Sequence, residues 1–144
     1  MKTLLFSLLS VFMLLSCNKH QSKIVGEWEV QEDGKSTDTF IFKEDGTFIS
    51  IDEYGKINDL GLDNGNTTVN MSYEYNASKE PDWLDLIYLG SEKKDKKDAI
   101  RIKCIAEFLS DNTIRVGSNT KGDGDILERP ASFDKSENII LKRK

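Results

Sequence analysis

From Ile24 to Arg143, apolar and polar residues exchange places with a period of two, in short runs punctuated by glycine, aspartate and asparagine. Such alternation over four to eight residues marks a strand with one buried face. Gly26-Glu27-Trp28-Glu29-Val30 places Gly26, Trp28 and Val30 on one side and both glutamates on the other. Glu32-Asp33-Gly34-Lys35 then reads as a tight hairpin turn. Thr39 to Lys43 follows as a strand whose Phe40 and Phe42 share a face, and Lys43-Glu44-Asp45-Gly46 turns the chain into Thr47 to Asp52. In that strand Phe48 competes with Ile49 and Ile51 for the inside, and the pattern leaves the face open.

The clearest alternation sets Val69, Met71, Tyr73 and Tyr75 against Thr68, Asn70, Ser72 and Glu74. Lys79-Glu80-Pro81-Asp82 interrupts it, and Trp83 to Leu89 resumes. Ile100, Ile102, Cys104, Ala106 and Phe108 then alternate with Arg101, Lys103, Ile105 and Glu107, which puts Cys104 indoors. Asp111-Asn112 turns into Thr113 to Gly117, and Asn138 to Lys142 closes the domain, with Ile139, Leu141 and Arg143 in phase. About eight strands with hairpin-length links predict an all-β fold: an antiparallel, up-and-down, eight-stranded barrel, with a two-sheet β-sandwich as the alternative. Eight strands enclose just enough room for packed side chains or one small ligand. Phe40, Phe42, Tyr73, Tyr75 and Phe108 are the inward aromatics expected to meet such a ligand.

The N-terminus breaks this pattern. Lys2 precedes a twelve-residue apolar run, Leu4 to Leu15, and Ser16-Cys17 is followed at once by polar Asn18 to Lys23. A positive start, a short apolar stretch and a small residue form a secretory signal, too short to span a bilayer. Leu14-Leu15-Ser16-Cys17 resembles the lipobox of bacterial lipoproteins. The resemblance implies a signal over residues 1–16, cleavage before Cys17, acylation of Cys17 and a mature chain that begins there. Residues 17–23 would be the lipidated cysteine and its tether, and 24–144 the barrel domain. The tether reaches roughly 20 Å when fully extended. The only histidine, His20, falls within it. Asn18, rather than aspartate, follows the cysteine, which by analogy favours the outer membrane, with the face of that membrane left open.

Composition narrows the partners. The signal holds one of the 20 basic residues and none of the 25 acidic ones, leaving 19 against 25 and a formal charge of −6. That sign disfavours nucleic acid, which needs a basic field, and electrostatic docking on anionic lipid. The membrane link is expected from acyl chains on Cys17. Cys104, with Cys17 consumed by lipid, is expected to be a buried structural thiol.

Chemistry is sparse. The absence of histidine from the domain removes the usual base for a serine or cysteine nucleophile. Zinc would need clustered Cys and His. Asp59 to Asn66 carries oxygen-bearing side chains but lacks the alternating ligand positions and closing glutamate of a calcium loop. Asp82 with Asp85, and Asp123 with Asp125, sit near turns, where acids serve as turn formers. Lys121-Gly122-Asp123-Gly124-Asp125 lacks the spacing of a phosphate loop. No enzyme activity, metal or cofactor is expected.

Gly26-Glu27-Trp28 resembles the Gly-x-Trp opening of lipocalins. In that superfamily the tryptophan plugs one end of the barrel under an arginine from near the C-terminus. The resemblance implies a structural plug of Gly26, Trp28 and either Arg143 or Arg129. A longer set is similar to small lipocalin-like domains of bacterial lipoproteins: Tyr73-Glu74-Tyr75, Lys79-Glu80-Pro81-Asp82-Trp83-Leu84-Asp85, Arg129-Pro130-Ala131-Ser132-Phe133 and Leu141-Lys142-Arg143. It implies the fold and, by analogy, a non-enzymatic module for a small apolar ligand that enters near loop Glu53 to Asn66. The second expectation is an interaction module or inhibitor of an envelope complex, with Trp83, Ile105 and Leu109 on the outer face for a protein partner.

Overall fold

Each alternating run becomes a strand. A computed structural model describes residues 21–58, 70–89, 99–119 and 128–144. After a one-turn helix, α1 (Gln21–Ile24), come β1 (Gly26–Glu32), β2 (Lys35–Phe42), β3 (Phe48–Ile51), β4 (Asn70–Asn76), β5 (Asp82–Leu89), β6 (Ile100–Ser110), β7 (Thr113–Ser118) and β8 (Glu137–Arg143). Among the described residues these eight strands form one sheet in the order β3-β2-β1-β8-β7-β6-β5-β4. Every pairing is antiparallel, and the first and last strands pair with each other, Trp28 opposite Arg143. The remaining edges, β3 and β4, meet through the Thr47–Ser72 bridge, beside which the Tyr73 N–H donates to the Gly46 carbonyl at 2.9 Å. The product is a single, nearly closed up-and-down barrel and not a two-sheet sandwich. The apolar run Leu4–Leu15, Cys17, His20, residues 59–66 of the long loop and the acidic loop 121–125 lie outside the described residues. No helix among those described is long and apolar enough to cross a membrane.

The inward rows fill the barrel. Trp28, Phe42, Phe48, Ile114 and Leu141 are all 1% exposed or less. Phe48 and Ser50 take the buried positions of β3, and Ile49 and Ile51 are half-buried, which resolves the face that the sequence left open. The reason is geometric: the Phe48 ring lies 5.1, 5.2 and 6.1 Å from those of Phe40, Phe42 and Tyr88, an aromatic nest that an isoleucine would fill less well.

Residues 128–136, ahead of β8, form a strap on the outside of the barrel. Pro130 is buried in it. The Arg115 guanidinium lies 4.0 Å over the Phe133 ring, and Phe133 accepts hydrogen bonds at its carbonyl from Ser136 and Asn138. Ile105, an outward residue of β6, is only 1% exposed near this return. Gly117 lets the strap come close, since a Cβ there would sit 2.5 Å from Ser136 Oγ, 2.9 Å from Asn138 Oδ1 and 3.2 Å from Ile105 Cγ1.

Candidate functional site

The two ends of the barrel differ. At the end where β1 begins, Trp28 is fully buried and its Nε1–H donates to the Ile24 carbonyl at 2.8 Å. The Arg143 guanidinium lies 4.2 Å over the indole. Its Nη1 donates to Val25 O at 2.9 Å and its Nη2 to Lys23 O at 2.7 Å, so the C-terminal strand ties down the chain entering β1. Gly26 holds φ at +139°, and a Cβ there would lie 2.6 Å from Arg143 Nη1. The backbone angle favours glycine, and a Cβ would push the guanidinium off its seat. This end is closed.

The other end holds a cavity of about 230 Å³. Much of its wall is apolar, from Phe40, Leu84, Leu86, Ile102, Val116 and Ile139, with Cys104 beside them. Ser50, Tyr88 and Ser118 bring hydroxyl groups to its lining, the first two on residues 2% and 4% exposed. The Ser50 and Tyr88 oxygens are open to the cavity: among the described residues Arg115 Nε is the only buried side-chain polar atom without a hydrogen-bond partner. The lining also includes Glu32, Asp38 and Glu137, at or near the strand ends that open here. Burial, and then the charges of Asp52, Glu53 and Glu32, push the Asp38 carboxyl above its ordinary value. Burial likewise pushes the Tyr88 phenol up, with Cys104 and Asp38 adding to it.

Of the five aromatics read as ligand-facing, only Phe40 lines this cavity. Phe42 packs edge-on to Tyr73 at 5.0 Å, and Tyr75 to Phe108 at 6.4 Å, filling the body of the barrel instead. Tyr73 Oη donates to Lys43 O at 2.8 Å, and Tyr75 Oη to Asp82, so neither phenol is available to orient a ligand. Phe108 stands beside Trp28, with ring centroids 6.3 Å apart. Size explains the difference, since large rings close the space that smaller Ser50 and Val116 leave open.

Arg129 also departs from expectation, because it does not cover Trp28. It lies on the outer face, 4.4 Å over the Trp83 ring, with Nη2 donating to Asp85 Oδ1 at 2.5 Å and Nη1 to the Cys104 carbonyl. Arg101 Nη1 donates to the other Asp85 oxygen at 2.7 Å and to Glu74 Oε2 at 2.7 Å. Arg129-Pro130-x-x-Phe133 is therefore the anchor of the strap. Asp82 and Asp85 are both engaged, one by Tyr75 and the other by two arginines. Of the outward residues expected to meet a protein partner, Ile105 is buried, Trp83 lies under Arg129 and Lys79, and Leu109 stays half-exposed. A wider shelf of about 540 Å³ runs between residues 77–82 and the strap at 131–134.

The sequence reading missed Asp38, Ser50 and Tyr88 as site residues. The signal was present: Asp38 is in phase with Phe40 and Phe42, Ser50 with Phe48, and Tyr88 with Leu84 and Leu86. A polar residue inside an inward row is the mark of a lined cavity.

Cys104 is 2% exposed, and burial pushes its thiol up to about 12, with Asp85 adding to the shift and Arg129 opposing it. A thiol reagent at pH 8 should therefore leave the native protein unmodified and react only after denaturation; labelling at the rate of a free cysteine would contradict this burial. Because the folded state holds this proton more tightly than the unfolded chain, the stability it confers is complete below pH 9.0 and is lost as pH rises towards about 12. Tyr75 and Tyr88 shift the same way. The urea midpoint should be level from pH 6 to 8 and fall above about pH 9.

Comparison with known protein families, curated proteins and solved structures finds no match for this chain.

Proposed function

We propose that this chain is a bacterial envelope lipoprotein whose lipocalin-like barrel is a non-enzymatic binding module for a small ligand. The observation that carries the reading is the asymmetry of the barrel, plugged by Trp28 under Arg143 at one end and hollow at the other. A concave, mostly apolar site with a few polar groups is what small-molecule binding requires. At about 230 Å³ the cavity falls below the volume range of drug-sized sites, so the ligand is small. The anchor rests on Leu14-Leu15-Ser16-Cys17, and Asn18 favours the outer membrane by analogy. Acyl chains and a short tether would keep the cavity close to the bilayer, where molecules of the envelope arrive.

The test separates the two halves. Labelled palmitate should enter the wild-type chain and not Cys17→Ser, whose circular dichroism should be unchanged because the buried core begins at Ile24. Equal labelling of both chains would remove the anchor. Benzyl alcohol, a neutral molecule small enough for the cavity, should shift the amide resonances of Ser50 and Tyr88 in the purified full chain. A folded protein whose spectrum ignores it, and ignores its amine and carboxylate counterparts as well, would remove the binding module.

A further inference from the structure

We propose that the cavity at the open end selects an organic cation, a small primary amine with an apolar body, over neutral and anionic molecules of the same shape. This rests on the binding-module reading and specifies its ligand class. Apolar walls give the body of such a molecule a place, and a cation needs acceptors and negative potential where its head comes to rest. Ser50 and Tyr88, residues only 2% and 4% exposed, line the cavity and leave their hydroxyl oxygens open to it as acceptors. An ammonium head carries three donors, enough to bond both oxygens and a carboxylate.

The field has the matching sign. Asp38 and Glu32 line the cavity, and among the described residues the charges that raise Asp38 are those of Asp52, Glu53 and Glu32. Carboxylates held together, with burial opposing their charge, are stabilised by a positive group between them. An anionic ligand would add a further like charge. A metal ion suits the site less well, since among the described residues no three carboxylate, imidazole or thiol side chains converge to coordinate one. More of the cavity wall is hydrocarbon than polar, and an amine with an organic body covers it where a hydrated metal ion does not.

The experiment titrates benzylammonium, benzyl alcohol and benzoate, three molecules of one shape and different charge, into the full chain in a neutral detergent at pH 7, followed by amide chemical shifts. Benzylammonium should bind at least tenfold more tightly than benzyl alcohol, with the largest shifts at Asp38, Ser50 and Tyr88, and benzoate should not bind. Asp38→Asn should weaken benzylammonium at least tenfold and bring the amine-to-alcohol ratio close to one, with a dispersed spectrum showing that the variant is folded. Equal affinity for amine and alcohol overturns the cation preference while the cavity reading stands. Failure of all three to bind the folded chain overturns both. Calcium that shifts the same residues and displaces benzylammonium would make the mouth a metal site and overturn the proposal.

Discussion

Trp28→Ala should destabilise the barrel by about 3–5 kcal/mol, the cost of emptying a large aromatic from a packed core. A domain of this size has roughly 5–15 kcal/mol in all, so the variant should sit at the margin of folding. Three losses combine at this position. The indole is fully buried, its Nε1–H satisfies Ile24 O, and its face lies 4.2 Å beneath Arg143. Trp28→Phe separates them, because it restores much of the ring while leaving the Ile24 carbonyl unpaired. That variant should recover part of the loss and still fall short by about 1–3 kcal/mol, the cost of a buried polar group left unsatisfied. Arg143→Met tests the guanidinium, which holds Val25 O and Lys23 O as well as the indole. Urea unfolding followed by circular dichroism measures all three. If Trp28→Ala unfolded at the wild-type midpoint, the closed end would not be a structural plug.

Arg143 was legible because the alternation Ile139, Leu141, Arg143 carries a face to the barrel's end without knowledge of any other strand. The fold class was legible for the same reason, since each strand's periodicity is local. What one strand cannot reveal is which of its inward residues oppose a gap. Ser50 follows Phe48 on the same face, yet the ring is enclosed by Phe40, Phe42 and Tyr88 while the hydroxyl meets open space. That outcome is set by side-chain volumes on six other strands. Asp38 was missed for a simpler reason: the sequence pattern starts this strand at Thr39, whereas β2 begins at Lys35 and carries Asp38 inward with Phe40. Arg129 illustrates the opposite error. A motif suggested its importance, but its partners, Asp85 and the Cys104 carbonyl, lie 44 and 25 positions away and place it on the outside of the barrel. Sequence spacing identifies a residue with a fixed role more readily than the surface on which it acts.

Asp85→Ala should cost about 2–4 kcal/mol, and its effect should be felt first in the strap. The carboxylate is 11% exposed and accepts from Arg129, itself 15% exposed, and from Arg101, which is 38% exposed. Removing one partner of a buried pair strands the other charge, which is the expensive event. Arg129 is the residue stranded here; Arg101 keeps Glu74 and can rehydrate, which holds the cost below that of a fully buried network. The pair also fixes the strap against Trp83, so the variant should change the emission of that half-exposed indole well before the barrel unfolds. Double replacement, Asp85→Leu with Arg129→Met, should recover most of the stability, because apolar groups of similar size often match a buried ion pair. Raising the salt concentration should leave the wild-type difference largely intact, in contrast to the more exposed Lys103–Glu128 pair. A single variant as stable as wild type, with unchanged tryptophan emission, would mean that Asp85 does not hold the strap in place.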